Sequence, residues 1–314
     1  MTERPLVSLI IMAYKAEKFV REAIEGAFAQ TYENLEIILS DDTSPDRTFE
    51  IMSEMAAAYT GPHKVILNRN PVNLGIGAHV NKLWHETVTG EWIVVSAGDD
   101  VSLPERVSEL MDIATEDTAL IHGRPLAIDD KSVQFEFEER FEKVNLPILE
   151  RNDVEETILS YTCVRGATMA INRKFLRFWG GFIPGLVNED VILAYRAQFW
   201  GKLVYTRKPL IKYRVHDESL SNRPQPKTFD AYKRHQSKMA NEYLHIYKQV
   251  MIDNEKLKLS AATVAVLEER KKYHETIFFL YGSGGFKTEF LGSGLFYRQL
   301  VKRMLIKVYR AVKR

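Results

Sequence analysis

The chain has 314 residues, 45% of them hydrophobic, and its 43 basic residues nearly balance its 42 acidic ones. This size allows one large domain with an appendage, while a single cysteine, Cys163, excludes a fold held by internal disulfides and favours a reducing compartment. No stretch of about 18 apolar residues occurs, so we expect no transmembrane helix, and Met1–Pro5 does not resemble a signal peptide. We therefore expect a cytoplasmic protein.

The N-terminal third alternates apolar runs with segments of helical periodicity. The predicted strands are Val7–Ala13, Leu35–Ser40, Val65–Asn68 and Trp92–Ser96, and the predicted helices between them are Ala16–Gln30, Asp46–Ala58 (with Asp46 as N-cap) and Ile76–Val88. Strands that alternate with helices in this way predict a doubly wound α/β fold with a mainly parallel sheet.

The remainder of the chain is less regular. Further strands are expected at Ala119–Gly123, Gly166–Ile171, Leu203–Tyr205 and Leu210–Tyr213, further helices at Leu103–Ala114 and Val191–Trp200, and either an edge strand or a loop at Phe135–Phe141. The segment Asn222–Pro226 is typical of a linker, and polar helical periodicity follows from Thr228 to Arg270. We expect an α/β domain over residues 1–222 and a helical extension over 228–314.

Two acidic pairs, Asp41-Asp42 and Asp99-Asp100, each follow a predicted strand. Ligands of open α/β sheets bind outside the carboxyl ends of the strands, so both pairs are candidate binding groups. Carboxylates there can accept hydrogen bonds from a ribose or a base edge, or bind a divalent metal that holds phosphates. The alternatives are a solvated, helix-capping turn for the first pair and a polar loop for the second.

The order of motifs resembles the family 2 glycosyltransferases, over roughly residues 5–220. The resemblance rests on the first strand with its turn Ala13-Tyr14-Lys15, on Ala27–Tyr32, on the acidic turn Asp41–Asp46, and on Asn73-Leu74-Gly75 with Asn81. It implies the GT-A fold: a Rossmann-like, mainly parallel central sheet flanked by helices, here with a C-terminal helical extension. It also implies a nucleotide-diphosphate sugar bound by Ala13, Tyr14, Glu17, Asp41, Asp42, Asn73, Gly75 and Asn81.

By the same resemblance, Ala97–Asp100 corresponds to the metal-binding turn, whose usual motif in this family is Asp-x-Asp. Ala97 stands where the first carboxylate would be, so Asp99 is the expected ligand of Mg²⁺ or Mn²⁺. Gly98 is expected to let the backbone approach the sugar or phosphate. His216 is expected near the metal or diphosphate, or else in a structural role, and Arg214 is expected to counter phosphate charge.

The third acidic motif is Asn188-Glu189-Asp190, directly before an apolar helix. The resemblance implies that Asp190 is the catalytic base, with Glu189 beside it. A sugar hydroxyl is a poor nucleophile, and its proton must leave as it attacks the anomeric carbon. One base on the acceptor side, with a metal-assisted diphosphate leaving group, gives in-line displacement and inversion. The alternative is helix capping by two acids, which is compatible with catalysis.

Residues 295–314 contain seven basic residues and no acidic one. Apolar side chains share one face of this segment, so a basic amphipathic helix is predicted. We expect it to bind the inner face of the plasma membrane peripherally, or else to pack on the domain or on another subunit of a homo-oligomer. The charge is local to this end, so we expect no nucleic-acid partner.

The sequence therefore favours an inverting glycosyltransferase acting on a saccharide or lipid-linked acceptor in cell-surface polysaccharide synthesis. A nucleotidyltransferase of related fold is one alternative, but it needs a glycine-rich basic loop after the first strand, and Ala13–Glu17 contains no glycine. A non-catalytic sugar-binding relative is the other, and the replacement at Ala97 keeps it open.

Overall fold

The computed structural model of the protein describes residues 4–136, 148–149, 154–162, 164–216, 226 and 228–282. The chain divides into two compact units, Met1–Arg223 and Pro224–Arg314. The strands are β1 Val7–Ala13, β2 Leu35–Asp41, β3 Lys64–Arg69, β4 Trp92–Ala97, β5 Val101–Ser102, β6 Thr118–Gly123, β7 Leu126–Ile128, β8 Ile148–Leu149, β9 Ala170–Asn172, β10 Lys202–Thr206 and β11 Ile211–Arg214. The helices of the first unit are α1 Val20–Phe28, α2 Thr48–Ala58, α3 Ile76–Lys82, α4 Arg106–Asp112, α5 Val154–Ser160, α6 Arg173–Trp179 and α7 Glu189–Trp200.

Among the described residues, the larger sheet has the strand order β3-β2-β1-β4-β9-β6-β10-β8. The first four strands are mutually parallel, β9 is antiparallel to both neighbours, and β10 is parallel to β6. The predicted α/β fold with a mainly parallel sheet is therefore confirmed. Strands β1 and β2 are mainly apolar and are buried on both faces, as expected of central parallel strands covered by helices.

The predicted N-terminal strands are all present to within one residue at either end, but several other element boundaries differ from the prediction. Helix α1 begins at Val20, not Ala16, because the chain first makes a turn in which Lys15 has a φ of 56°. The predicted strand Gly166–Ile171 is wrong in its first half: Gly166–Thr168 forms a 3₁₀ turn and the strand starts at Ala170. Asp46 lies one residue before the cap of α2, where its carboxylate accepts the Thr48 N–H at 3.1 Å.

A second, three-stranded sheet has the order β5-β11-β7. Strand β11 runs antiparallel to β5, with Lys212 opposite Val101, and parallel to β7. The antiparallel register places the residues just before β5 beside those just after Lys212. These two stretches contain Asp99 and His216, so this small sheet brings together residues that are more than a hundred positions apart.

The second unit contains α8, Phe229–Leu257, and α9, Ala261–Tyr281, which pack against each other. Thr228 and Ser260 cap the two helices with their hydroxyl groups, and Lys258 ends α8 in the left-handed conformation with a φ of 54°. Within the described ranges, no helix is both long and apolar enough to span a bilayer. The predicted basic helix at 295–314, residues 137–141 of the acidic aromatic stretch, and most of the predicted linker lie outside the described residues.

Candidate active site

Asp42 lies directly after β2 and holds the loop that follows β3. Its Oδ1 accepts hydrogen bonds from Asn70 Nδ2 at 2.7 Å and from the Leu74 N–H at 2.9 Å, and its Oδ2 accepts the Gly75 N–H at 2.9 Å. Gly75 has a φ of 73°, a conformation that favours glycine. Asn73 adds a bond from Nδ2 to the Asp42 carbonyl. The buried carboxylate therefore fixes loop 70–75.

Asp41 is also fully buried, and its carboxylate accepts the Ser44 N–H and pairs with Arg69 Nε at 3.4 Å. These partners occupy the carboxylate that the sequence assigns to the nucleoside. Tyr14 is 46% exposed at the same edge of the sheet, and Asn73, in loop 70–75, is also exposed. Tyr14 and Asn73 can reach a ligand at this edge, whereas the acidic pair holds the loops that carry them.

Glu17 and Asn81, both predicted to contact the nucleotide, join segments of the protein. Glu17 Oε2 accepts the Arg47 N–H at 3.1 Å, while Asn81 bonds both backbone groups of Phe182 at 2.9 Å. Asn81 thereby ties α3 to the segment that precedes α7. We therefore assign Asn81 the role of shaping the site.

Gly98, expected to admit a sugar or phosphate, also has a packing role in the structure. A Cβ at this position would lie 2.6 Å from the Ala13 Cβ and 3.2 Å from the Ala16 Cβ. The Gly98 N–H donates to the Met12 carbonyl at 2.8 Å. Glycine is required here because the turn after β4 packs directly against the end of β1. The approach of a sugar or phosphate to this backbone stays a prediction.

Asp99 and His216, the two predicted metal ligands, lie side by side. His216 Nε2 is 3.1 Å from Asp99 Oδ2, with the side chains 14% and 27% exposed. In the described part of the chain, no group of three or more His, Cys, Asp or Glu residues could hold a metal ion. The pair fits a hard cation whose remaining ligands are diphosphate oxygens and water, because Mg²⁺ and Mn²⁺ sites commonly use few protein ligands.

Asp100 is buried beside this pair. Burial and the adjacent Asp99 charge raise the pKa of Asp100 well above its usual value. Its Oδ1 accepts the backbone N–H of Arg214 at 2.8 Å, which fastens the acidic turn to the end of β11. Asp100 therefore supports the turn, and Asp99 alone presents its carboxylate at the surface.

Arg214 was expected to face a phosphate, but its side chain has 0% exposure. The guanidinium donates to the Asp99 carbonyl, the Asp129 carbonyl, Ser132 Oγ and Glu22 Oε2, each at 2.9 Å. A group buried in this way cannot contact the diphosphate directly. The structure thus gives Arg214 a structural role in place of the predicted binding role.

Glu189 and Asp190 begin α7 in different environments. Glu189 is buried, and burial together with the neighbouring Asp190 raises its pKa to about 8. Asp190 is partly exposed, and its Oδ1 accepts the Val191 N–H at 2.9 Å. Glu189 therefore carries a proton at neutral pH, which leaves Asp190 as the better candidate for a base.

The raised pKa of Glu189 makes stability depend on pH. In the unfolded chain this carboxyl loses its proton near pH 4.5, but in the folded protein only near pH 8, so stability falls as pH rises between these values. The cost is about 1.4 kcal/mol per pKa unit. We expect Glu189→Gln to flatten the decline in melting temperature between pH 5 and pH 8, measured by thermal unfolding. Glu25→Gln, on exposed α1 surface, should keep the wild-type slope.

Arg106, which the sequence did not indicate, joins β4 to the 3₁₀ turn beside Glu189. It is fully buried, and burial lowers its pKa to about 10, so it remains charged at neutral pH. Nη2 donates to the carbonyls of Val95 in β4 and Ala167 in the 3₁₀ turn, at 2.6 and 2.7 Å. That turn contacts Glu189: a Cβ on Gly166 would lie 3.3 Å from Glu189 Oε1.

Residues 8–178 match the family described as Glycosyl transferase family 2. Because the match covers more than half of the chain, the chain belongs to this family, which the sequence resemblance predicted. The protein is therefore a glycosyltransferase, with the GT-A fold.

Three similar proteins illustrate the match. An uncharacterized glycosyltransferase of Rickettsia typhi is 29% identical over 229 residues, covering 70% of this chain and 67% of its own. The mannosyltransferase PcManGT from Pyrobaculum calidifontis, solved with GDP-Man and Mn²⁺, superimposes with a TM-score of 0.59 at 15% identity over 99% of this chain and 83% of its own. Staphylococcus aureus TarS 1-349, solved with UDP-GlcNAc, gives 0.56 at 15% identity over 88% and 81%. At this identity, the structural likeness shows the fold alone.

Proposed function

We propose that this protein is an inverting glycosyltransferase that uses a nucleotide-diphosphate sugar with Mg²⁺ or Mn²⁺. The observation that carries the proposal is the pairing of Asp99 and His216 at 3.1 Å, directly after β4 and β11. A divalent ion on this pair would bind the donor diphosphate and stabilise the charge that develops on it as it leaves. Tyr14 offers an exposed ring at the same edge, on which a base can stack.

In this proposal, Asp190 removes the proton of the acceptor hydroxyl. The hydroxyl oxygen forms the new bond to the anomeric carbon while the bond from that carbon to the diphosphate breaks, so one displacement inverts the configuration. Glu189, the first residue of α7, is buried and protonated at neutral pH, so it does not compete with Asp190 for the proton. Arg106 keeps the 3₁₀ turn beside Glu189 in place.

The acceptor and the cellular role are proposed more broadly. We propose a saccharide or lipid-linked acceptor, in the synthesis of a cell-surface polysaccharide on the inner face of the plasma membrane. The support is the basic amphipathic pattern of residues 295–314, because basic residues are attracted to anionic lipid surfaces. PcManGT was solved with a GDP-sugar and TarS with a UDP-sugar, so both nucleotide classes are reasonable donors to test.

A donor screen tests the proposed function. We expect one class among UDP-, GDP- and dTDP-sugars to raise the melting temperature in the presence of Mn²⁺, and EDTA to remove the effect. The same donor should release its nucleoside diphosphate, slowly to water and faster to a suitable acceptor. Stabilisation without any release would favour a sugar-binding protein, and release of pyrophosphate from a nucleoside triphosphate would favour a nucleotidyltransferase.

A further inference from the structure

The side chains behind Asp99 and His216 form a connected group. The ring of Phe19 lies 4.8 Å from the His216 ring, centroid to centroid, and 4.7 Å from the guanidinium carbon of Arg214. Phe19 stands immediately before α1, and His216 stands just beyond β11. One aromatic ring therefore contacts both the imidazole that we assign to the metal and the buried arginine two residues before it.

Arg214 in turn holds the other member of the pair. Its Nε donates to the Asp99 carbonyl at 2.9 Å, so the backbone that carries the exposed carboxylate is fixed by a charged donor. Because Arg214 is fully buried, its charge requires a counter-charge within the protein. Glu22, in the first turn of α1, supplies this counter-charge: its Oε2 lies 2.9 Å from Arg214 Nη2, and its side chain is 46% exposed.

Ser132 completes the arrangement. Its hydroxyl donates to Glu22 Oε2 at 2.7 Å and accepts from Arg214 Nη1 at 2.9 Å, and its backbone has a φ of 64°. A non-glycine residue in this conformation is held there by its surroundings. Burial disfavours ionisation of Glu22, but the bonds from Ser132 and Arg214 outweigh it and lower its pKa, so Glu22 is charged at neutral pH.

We infer that Phe19, Glu22 and Arg214 form a clamp that positions Asp99 and His216 for the divalent ion. The clamp acts from both sides: Arg214 fixes the Asp99 backbone, and Phe19 fixes the imidazole plane of His216. The proposal assigns its members no contact with substrate or metal, so they are positioning residues. The inference rests on the proposed function, because it assigns a purpose to the pair that the proposed function places at the metal.

Glu22 is the best position to test, because it is half-exposed and lies outside the metal pair. Glu22→Gln retains the shape of the side chain but removes the counter-charge of Arg214. Glu25→Gln, an exposed acid on the same helix, makes the same change of charge without touching the clamp. Phe19→Leu is a second variant, which removes the ring and leaves the ion pair intact. Asp99→Asn reports whether Mn²⁺ binds at this pair at all.

The measurement is the dissociation constant of Mn²⁺ for the full-length protein, from the electron paramagnetic resonance signal of free Mn²⁺. Partners outside the ligand shell typically change metal affinity by about 10- to 100-fold, so we expect Glu22→Gln and Phe19→Leu each to weaken Mn²⁺ binding by about tenfold. Glu25→Gln should match the wild type. Melting temperatures recorded in EDTA show whether each variant folds.

The outcomes separate the clamp from the metal site. If Asp99→Asn abolishes Mn²⁺ binding while folded Glu22→Gln and Phe19→Leu bind as the wild type does, the clamp is wrong and the metal site stands. If Asp99→Asn binds Mn²⁺ normally, or the wild type does not bind it, the assignment of the pair fails and the clamp fails with it. Equal weakening by Glu25→Gln would also overturn the clamp, because the effect would then be one of net charge.

Discussion

Replacement of Asp190 by asparagine is expected to lower kcat for glycosyl transfer by about 10²- to 10⁴-fold, the usual contribution of a positioned general base. Asparagine has nearly the same shape and can still accept the Val191 N–H, so the start of α7 should be preserved. The KM for the donor should be unchanged, because the lost interaction operates only as the acceptor is deprotonated. Steady-state kinetics with the identified donor and acceptor, together with donor binding by calorimetry, measure both effects.

Glu189→Gln is the matched control for this experiment. Because the pKa of Glu189 is raised to about 8, its side chain is mostly neutral at pH 7, and glutamine is a neutral side chain of the same length. We therefore expect this variant to retain most of the transfer activity at neutral pH. An equal loss of transfer activity in both variants would mean that Glu189 and Asp190 act together as the base. Loss of donor binding in Asp190→Asn would refute the proposal that Asp190 acts only on the acceptor.

The parallel half of the sheet could be predicted from the sequence because its signal is local. Strands such as Val7–Ala13 are short apolar runs bounded by turn residues, and helices of clear periodicity separate them. The antiparallel strand Ala170–Asn172 was not predicted with its correct boundary, since only three of its residues pair with β4 and two with β6. A strand of that length has too few residues to show alternation.

The sequence predicted which residues lie at the candidate site better than it predicted their roles. Motif order indicates Asp42, Asn81 and Arg214, but the structure buries or engages these side chains with protein partners. Burial depends on contacts between distant segments, such as the 192 positions that separate Glu22 from Arg214. A polar residue next to an apolar helical face, such as Arg106 before Val107, is the one sequence signal that could have indicated a buried support.

The two-residue strand β5 shows why the metal pair was predicted as two separate residues and not as a pair. Val101-Ser102 is too short to be recognised in the sequence, yet its antiparallel register with β11 brings Asp99 within 3.1 Å of His216. The resemblance assigned both residues to the metal independently. The structure adds that a single ion could contact both at once, and this makes a quantitative test of their cooperation possible.

Asp99→Asn is expected to lower kcat/KM for the donor by about 10²-fold or more and to abolish the response of the rate to Mn²⁺. The reason is that mutating residues that only support a metal ligand already lowers metal affinity or activity by about 10- to 100-fold. The fold should survive, since Arg214 binds the carbonyl of Asp99 and not its carboxylate. Removal of the Asp99 charge also removes one of the causes that raise the pKa of Asp100. Rates measured across a Mn²⁺ titration test the prediction, and Asp230→Asn, on an exposed turn of α8, controls for net charge.

His216→Ala should produce a similar loss, and the double variant should lose little more than either single one. Two side chains that hold one ion act as a unit, so removing the second adds almost nothing once the first is gone. Additive losses would mean that Asp99 and His216 serve separate ligands. Such a result would leave the family assignment intact, but it would remove the 3.1 Å pair as the basis for metal-assisted departure of the diphosphate.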